Sequence, residues 1–109
     1  MNPPAFRLRL LAIFTFLAAF PTARAEVNQV ETVAPEVYFH EGDIGRKGHC
    51  NNGWVVFDDY VLVIDANFPS GALEILPKIK ALTRKPIRFA FDTHHHGDHA
   101  YANQVWHDQ

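Results

Sequence analysis

Apolar residues along this chain fall into short blocks whose period shifts from strand-like to helical. Val33 to His40 reads as an early strand interrupted by Pro35, and Gly42, Gly45 and Gly48 mark a flexible loop after it. Asn51-Asn52-Gly53 is turn chemistry. Trp54-Val55-Val56-Phe57 and Tyr60 to Asp65 are then two β-rich runs joined at Asp58-Asp59, the pattern of an antiparallel hairpin. Their unbroken apolarity predicts burial on both faces of a sheet. Leu73, Leu76, Ile79 and Leu82 come next at near-helical spacing. Ser70 is placed to cap that helix, and Lys78, Lys80, Arg84 and Lys85 fall mostly outside the stripe. Pro77 is expected to kink it and Pro86 to end it. Ile87 to Phe91 returns as a strand. Strand, helix, strand favours a parallel pairing and puts the segment after Phe91 at a strand's carboxyl end, where α/β sites lie. Ala100 to Trp106 again has a helical pattern.

One apolar block stands apart from the fold. Arg7 and Arg9 precede an apolar run from Leu10 to Phe20, and Pro21-Thr22-Ala23-Arg24-Ala25 ends in Ala-x-Ala, the layout of a secretory signal peptide cleaved after Ala25. The run is too short to span a bilayer as a helix. The expected product is exported, periplasmic or secreted, without a stable membrane anchor. Beyond Ala25, Arg46, Lys47, Lys78, Lys80, Arg84, Lys85 and Arg88 face all 12 acidic residues, with no clustered basic patch. That balance argues against nucleic acid as a partner. Cys50 is the single cysteine, so no intrachain disulfide forms. It is expected to be a buried or loop thiol rather than a metal ligand beside His49.

The chemistry concentrates in Thr93-His94-His95-His96-Gly97-Asp98-His99. On an extended chain alternate side chains point the same way, so His94 and His96 converge on one ion while His95 turns to the other face. A bend at Gly97 then lets Asp98 and His99 face the same site. Neutral imidazoles with a carboxylate suit zinc first, with iron, manganese, cobalt or nickel behind it. The other histidines, His40, His49 and His107, read as solvent-facing side chains. Asp65 and Asn67, just after the second hairpin strand, read as turn formers in preference to supports for the site.

The pattern His94-x-His96-x-Asp98-His99, preceded by Thr93 and a hydrophobic strand, resembles the signature of the metallo-β-lactamase-fold hydrolase superfamily. The Asn-Gly hairpin followed by Ile64-Asp65-Ala66 is similar to that family's N-terminal strands. The resemblance implies an α/β fold of α+β layered type, the N-terminal half of an αβ/βα sandwich over residues 26–109, after a signal peptide at 1–25. It implies that His94 and His96 bind a first metal and Asp98 and His99 a second. Asp98 is the candidate catalytic residue, His95 is left out, and zinc is the expected ion. In the family the metals raise the acidity of a water that attacks a carbonyl or ester centre of a small-molecule substrate. The family's remaining ligands come from a C-terminal half that would lie beyond Gln109, so the chain is expected to be a fragment of an exported zinc-dependent hydrolase, inactive alone. Half a sandwich leaves a sheet face and edge uncovered, and self-association is expected. A non-catalytic zinc-binding module and an iron-dependent redox member of the superfamily are the alternatives.

Overall fold

The computed structural model describes residues 25–109, and apart from Ala25 the expected leader lies outside the described residues. Eight elements occur in order: β1 (Val30–Ala34), β2 (Val37–His40), β3 (Asn52–Val56), β4 (Val61–Ile64), α1 (Pro69–Leu82), β5 (Ile87–Phe91), α2 (Gly97–Ala100) and α3 (Asn103–His107). The strands form one sheet in the order β1-β2-β3-β4-β5. Its first four strands are an antiparallel meander, and β5 joins β4 in parallel after the α1 crossover. The result is a mixed sheet with helices, of the α+β class. No helix among the described residues is long and apolar enough to cross a membrane.

Pro35 does more than interrupt a strand. It begins a two-residue turn in which Glu36 takes a φ of 62°, and the single expected strand becomes the hairpin of β1 and β2. The second hairpin forms where the sequence places it, closed by Phe57 N donating to Tyr60 O at 2.8 Å.

Among the described residues, helices cover only one face of the sheet. Trp54, Val56, Val61, Val63 and Ile87 pack there against Ala72, Ile75 and Ile79 of α1 and Trp106 of α3. Each large apolar side chain buried this way contributes about 1.5–3 kcal/mol. Burial on both faces is therefore corrected. Register and alternation put Val55, Leu62, Ile64, Phe89 and Phe91 on the opposite face, where Phe89 and Phe91 remain 56% and 59% exposed. The reason is topological: the one crossover helix and the helices after β5 all lie on the same side.

The helix stripe is also corrected. Leu73 and Leu82 are exposed, and the buried face of α1 is Gly71, Ala72, Ile75 and Ile79 with Leu76 partly buried. Small residues win the first turn because the helix starts close to the Asn67 side chain, which a Cβ on Gly71 would strike. Phe68, not Ser70, occupies the cap position, and Pro69 opens the helix. The chain leaves the helix at Thr83, ahead of Pro86.

His40 and His49 are buried rather than solvent-facing, 3% and 4% exposed. His40 Nε2 lies 3.0 Å from Asn28 Oδ1, while its Nδ1 has no partner among the described residues. His49 Nε2 lies 2.8 Å from Ser70 Oγ, and its Nδ1 faces Glu74 at 3.7 Å. The cap residue expected at position 70 thus serves as a tether between the 41–51 loop and α1. His107 is exposed, as expected.

Burial pushes His40 down to about 4, helped by Lys78 and His49 and opposed by Glu74. A histidine depressed in the fold favours the neutral form, so its full contribution is present above its ordinary value near 6.5 and is lost as pH falls toward 4. The loss amounts to up to about 3 kcal/mol. Denaturant midpoints measured between pH 7 and pH 4 should fall steeply in the native chain and more gently in His40→Gln. Equal slopes in the two proteins would show that His40 does not carry the effect.

Candidate metal centre

Two parallel strand ends build the site. Asp65 N donates to Phe91 O at 2.8 Å, and Ala66 N donates to His99 O at 2.6 Å and to Asp92 Oδ1 at 3.3 Å, which ties the end of β4 to the chain leaving β5. α3 clamps the same corner: Trp106 Nε1 donates to Ala66 O at 2.8 Å, and Asn103 Nδ2 to Asp92 Oδ2 at 2.7 Å. Residues Asp92 to His96 form a bend rather than a continued strand. The pairing of His94 with His96 is thus a product of loop folding, not of strand alternation. Gly97 opens α2, and its value is space: a Cβ there would meet the Tyr101 ring at 2.7 Å. Asp98 lies in the first turn of α2, where a carboxylate suits the helix's positive end, and the expected helix from 100 to 106 is divided between α2 and α3.

The donors come together in pairs. His94 Nε2 and His96 Nδ1 are 3.2 Å apart, and Asp98 Oδ2 and His99 Nε2 are 3.3 Å apart. The rings of His94 and His99 are centred 4.0 Å from each other, so the pairs adjoin. His95 is exposed; its ring centre lies 5.0 Å from that of His96, and it joins neither pair. Among the described residues no three His, Cys, Asp or Glu side chains converge as one ligand set.

Zinc held at 2.0–2.1 Å by two imidazoles of a tetrahedron separates their nitrogens by about 3.3 Å. Each pair therefore spans one edge of such a polyhedron, and the donor set fits a metal that draws its other ligands from elsewhere or from water. The 3.2 Å between His94 and His96 equally suits an N–H to N hydrogen bond when one ring nitrogen is protonated.

Asp65 organises both pairs. It is 7% exposed, and its Oδ1 accepts from Thr93 N and from the Thr93 hydroxyl, each at 2.8 Å. With its one proton spent on Asp65, Thr93 Oγ1 is an acceptor for His94 Nδ1, 3.0 Å away. That assigns the proton of His94 to Nδ1 and leaves the lone pair on Nε2, facing His96. Asp65 Oδ2 also lies 3.0 Å from His99 Nδ1, close enough for an ion pair though off the line of a good hydrogen bond, and that nitrogen has no better partner among the described residues. Burial pushes the Asp65 carboxyl up, but the two Thr93 bonds and His99 outweigh it and hold it below the usual range.

The preference for Asp65 and Asn67 as mere turn formers is therefore half right. Both take left-handed φ values, 64° and 71°. Yet Asp65 orients the imidazoles, and Asn67, fully buried, donates to Cys50 O at 3.1 Å and Asn52 Oδ1 at 2.7 Å while accepting from Phe68 N at 2.8 Å. A signal for Asp65 was available: a carboxylate at the carboxyl end of a strand, next to the strand that carries the motif. Cys50 is a buried loop thiol, as expected. Burial, then Asp65 and Asp98, pushes it up to about 12.

The Thr93 relay predicts a fixed tautomer. Nitrogen NMR of the imidazoles should show His94 protonated at Nδ1 in the native chain, with Thr93→Val and Asp65→Ala each mixing the tautomers. An unaltered His94 spectrum in both variants would disprove the relay.

Among known protein families, residues 45–109 match the model described as the metallo-beta-lactamase superfamily. A comparison with curated proteins gives no match.

Proposed function

The chain belongs to the metallo-beta-lactamase superfamily, whose members are metal-dependent hydrolases, and on that premise we propose that it forms the zinc-binding part of an exported hydrolase acting on a carbonyl or ester-type substrate. The observation that carries this reading is the pair of donor edges, His94 with His96 and Asp98 with His99, set beside each other at the end of β5. A zinc ion bound there supplies acidified water near neutral pH and polarises the substrate carbonyl.

The chain's own residues do the rest. Asp65 and Thr93 hold His94 in one tautomer, so its Nε2 is a ready donor. Asp98 sits half-buried on the first turn of α2, where its carboxylate can orient a water and take up a proton. Two ligands per ion hold metal only weakly, so this chain is a partial site, and turnover belongs to a protein that completes both sets. Export rests on the basic residues, apolar run and Ala-x-Ala ending of residues 1–25. Met1 retained on the exported chain would exclude cleavage after Ala25, and absence of the chain from the exported fraction would exclude export.

Metal analysis tests the centre. Zinc should bind the native chain and His95→Ala alike, and after His94→Ala or His96→Ala more weakly by at least the roughly 10–100-fold that loss of a ligand's outer partner costs. Equal loss in all three variants would remove the pairing on which the reading rests. Iron in place of zinc would turn it to the redox alternative.

A further inference from the structure

At the end of β5 away from the metal donors, the link from α1 borders a groove of about 350 Å³. Ile87 opens β5 and the histidine motif follows its last residue, so the length of that strand, about 13 Å, lies between the groove and the candidate metal centre. At the ~30 Å³ that a water occupies in the liquid, the space holds roughly a dozen non-hydrogen atoms.

The groove has an apolar floor and a cationic rim. Ile79 and Ile87, 1% and 9% exposed, line it together with Pro86. Lys80, Arg84 and Lys85 border it, and no carboxylate does. Acids outnumber bases beyond Ala25, yet none of these three cations pairs with one. Lys80 Nζ donates to Gln109 Oε1 at 2.9 Å and Lys85 Nζ to Phe57 O at 2.8 Å, both uncharged acceptors. Arg84 is exposed and forms no ion pair among the described residues. Elsewhere Arg46 does pair with Asp43, and Lys47 with Glu74. The negative end of α1 accounts for Lys80, which lies in the last turn, but Arg84 and Lys85 follow the helix's end at Leu82, where that attraction falls away.

The link that carries these residues is fixed. Thr83 N donates to Ile79 O at 3.1 Å, the Thr83 hydroxyl accepts from Lys85 N at 3.2 Å, and Pro86 O accepts from Val61 N at 2.9 Å. A ligand therefore meets a groove whose backbone needs no ordering. Three cations make too short a stripe for a polyanion such as nucleic acid, and a bare inorganic anion has no use for the floor. The complement is an anion with an apolar body.

We infer that this groove binds a small amphiphilic anion, a short alkyl chain with a carboxylate head. The chain lies on Ile79, Pro86 and Ile87. The carboxylate takes the fork of the Arg84 guanidinium, with Lys80 and Lys85 beside it, each exchanging a neutral acceptor for a charged one. The site is separate from the metal centre and does not rest on the hydrolase reading.

Octanoate, kept below its micelle concentration, is titrated into the full chain in zinc-free buffer while backbone amide shifts are followed by NMR. Shifts centred on residues 79–87 and Gln109 are expected. Octanol, acetate and inorganic phosphate should each bind at least roughly tenfold more weakly, since each lacks the charged head or the apolar body. Arg84→Gln, at an exposed position, should weaken octanoate by a similar factor and leave octanol unchanged. Equal binding of octanol would reveal a groove without anion preference, equal binding of phosphate a plain cationic patch, and indifference to Arg84→Gln a head group held elsewhere. Each overturns the inference. So do shifts centred on Phe89 and Phe91, which would put octanoate on the open face of the sheet. Shifts at residues 79–87 with vesicles of anionic phospholipid but none with octanoate would assign the groove to a membrane surface and overturn it too.

Discussion

A single buried carboxylate holds this site together. Asp65 leaves β4 in a left-handed turn that sends its side chain sideways to the loop after β5, where it accepts two hydrogen bonds from Thr93 and faces His99. Three contacts from a neighbouring strand's loop offset the cost of burying the charge, and that is why the carboxyl is held below its usual range in spite of burial. Without this anchor, the bend that carries His94 to His96 would lose its hydrogen bonds to the end of β4.

The fold's contribution is to make that anchor possible. Parallel pairing of β4 and β5 through α1 brings two carboxyl ends side by side, and the Trp106 and Asn103 contacts from α3 hold the corner shut. The buried amides of Asn52 and Asn67 do the same work on the other flank, linking the start of β3 to the turn before α1. Gly71 and Gly97 are needed for room rather than for backbone freedom, the first against Asn67 and the second against the Tyr101 ring. Polar satisfaction and close packing therefore meet at the same few residues, and the site inherits its rigidity from the core.

Burial is distributed unevenly, and this has a chemical consequence. The helix-covered face of the sheet carries Trp54, Val56, Val61 and Val63, packed against Trp106 of α3, whereas Phe89 and Phe91 face outward from β5. The strand that carries the metal motif is thus held mainly by its pairing with β4 and by α3, with Ile87 its one buried side chain. The 41–51 loop is fixed independently, through Asp43, Asn51 and the His49 tether to α1.

The sequence by itself determined the second hairpin and the parallel crossover, and it singled out the candidate donors, because each rests on local pattern: β-rich runs about Asp58-Asp59, a helix between two strands, and an unusual density of histidine. The family, too, is legible in His94, His96, Asp98 and His99, and the match over residues 45–109 agrees. Tertiary structure decided the rest. Which face of α1 is buried depends on how near Asn67 lets the helix approach, a contact that helical spacing does not encode. His40 and His49 look exposed in the sequence because histidine composition carries no record of what packs over it. Asp65 looks like a turn former there because its decisive partners, Thr93 and His99, lie about thirty residues away along the chain and become neighbours only when β5 pairs with β4. Local sequence selects the groups, and the non-local register of the sheet determines which of them meet.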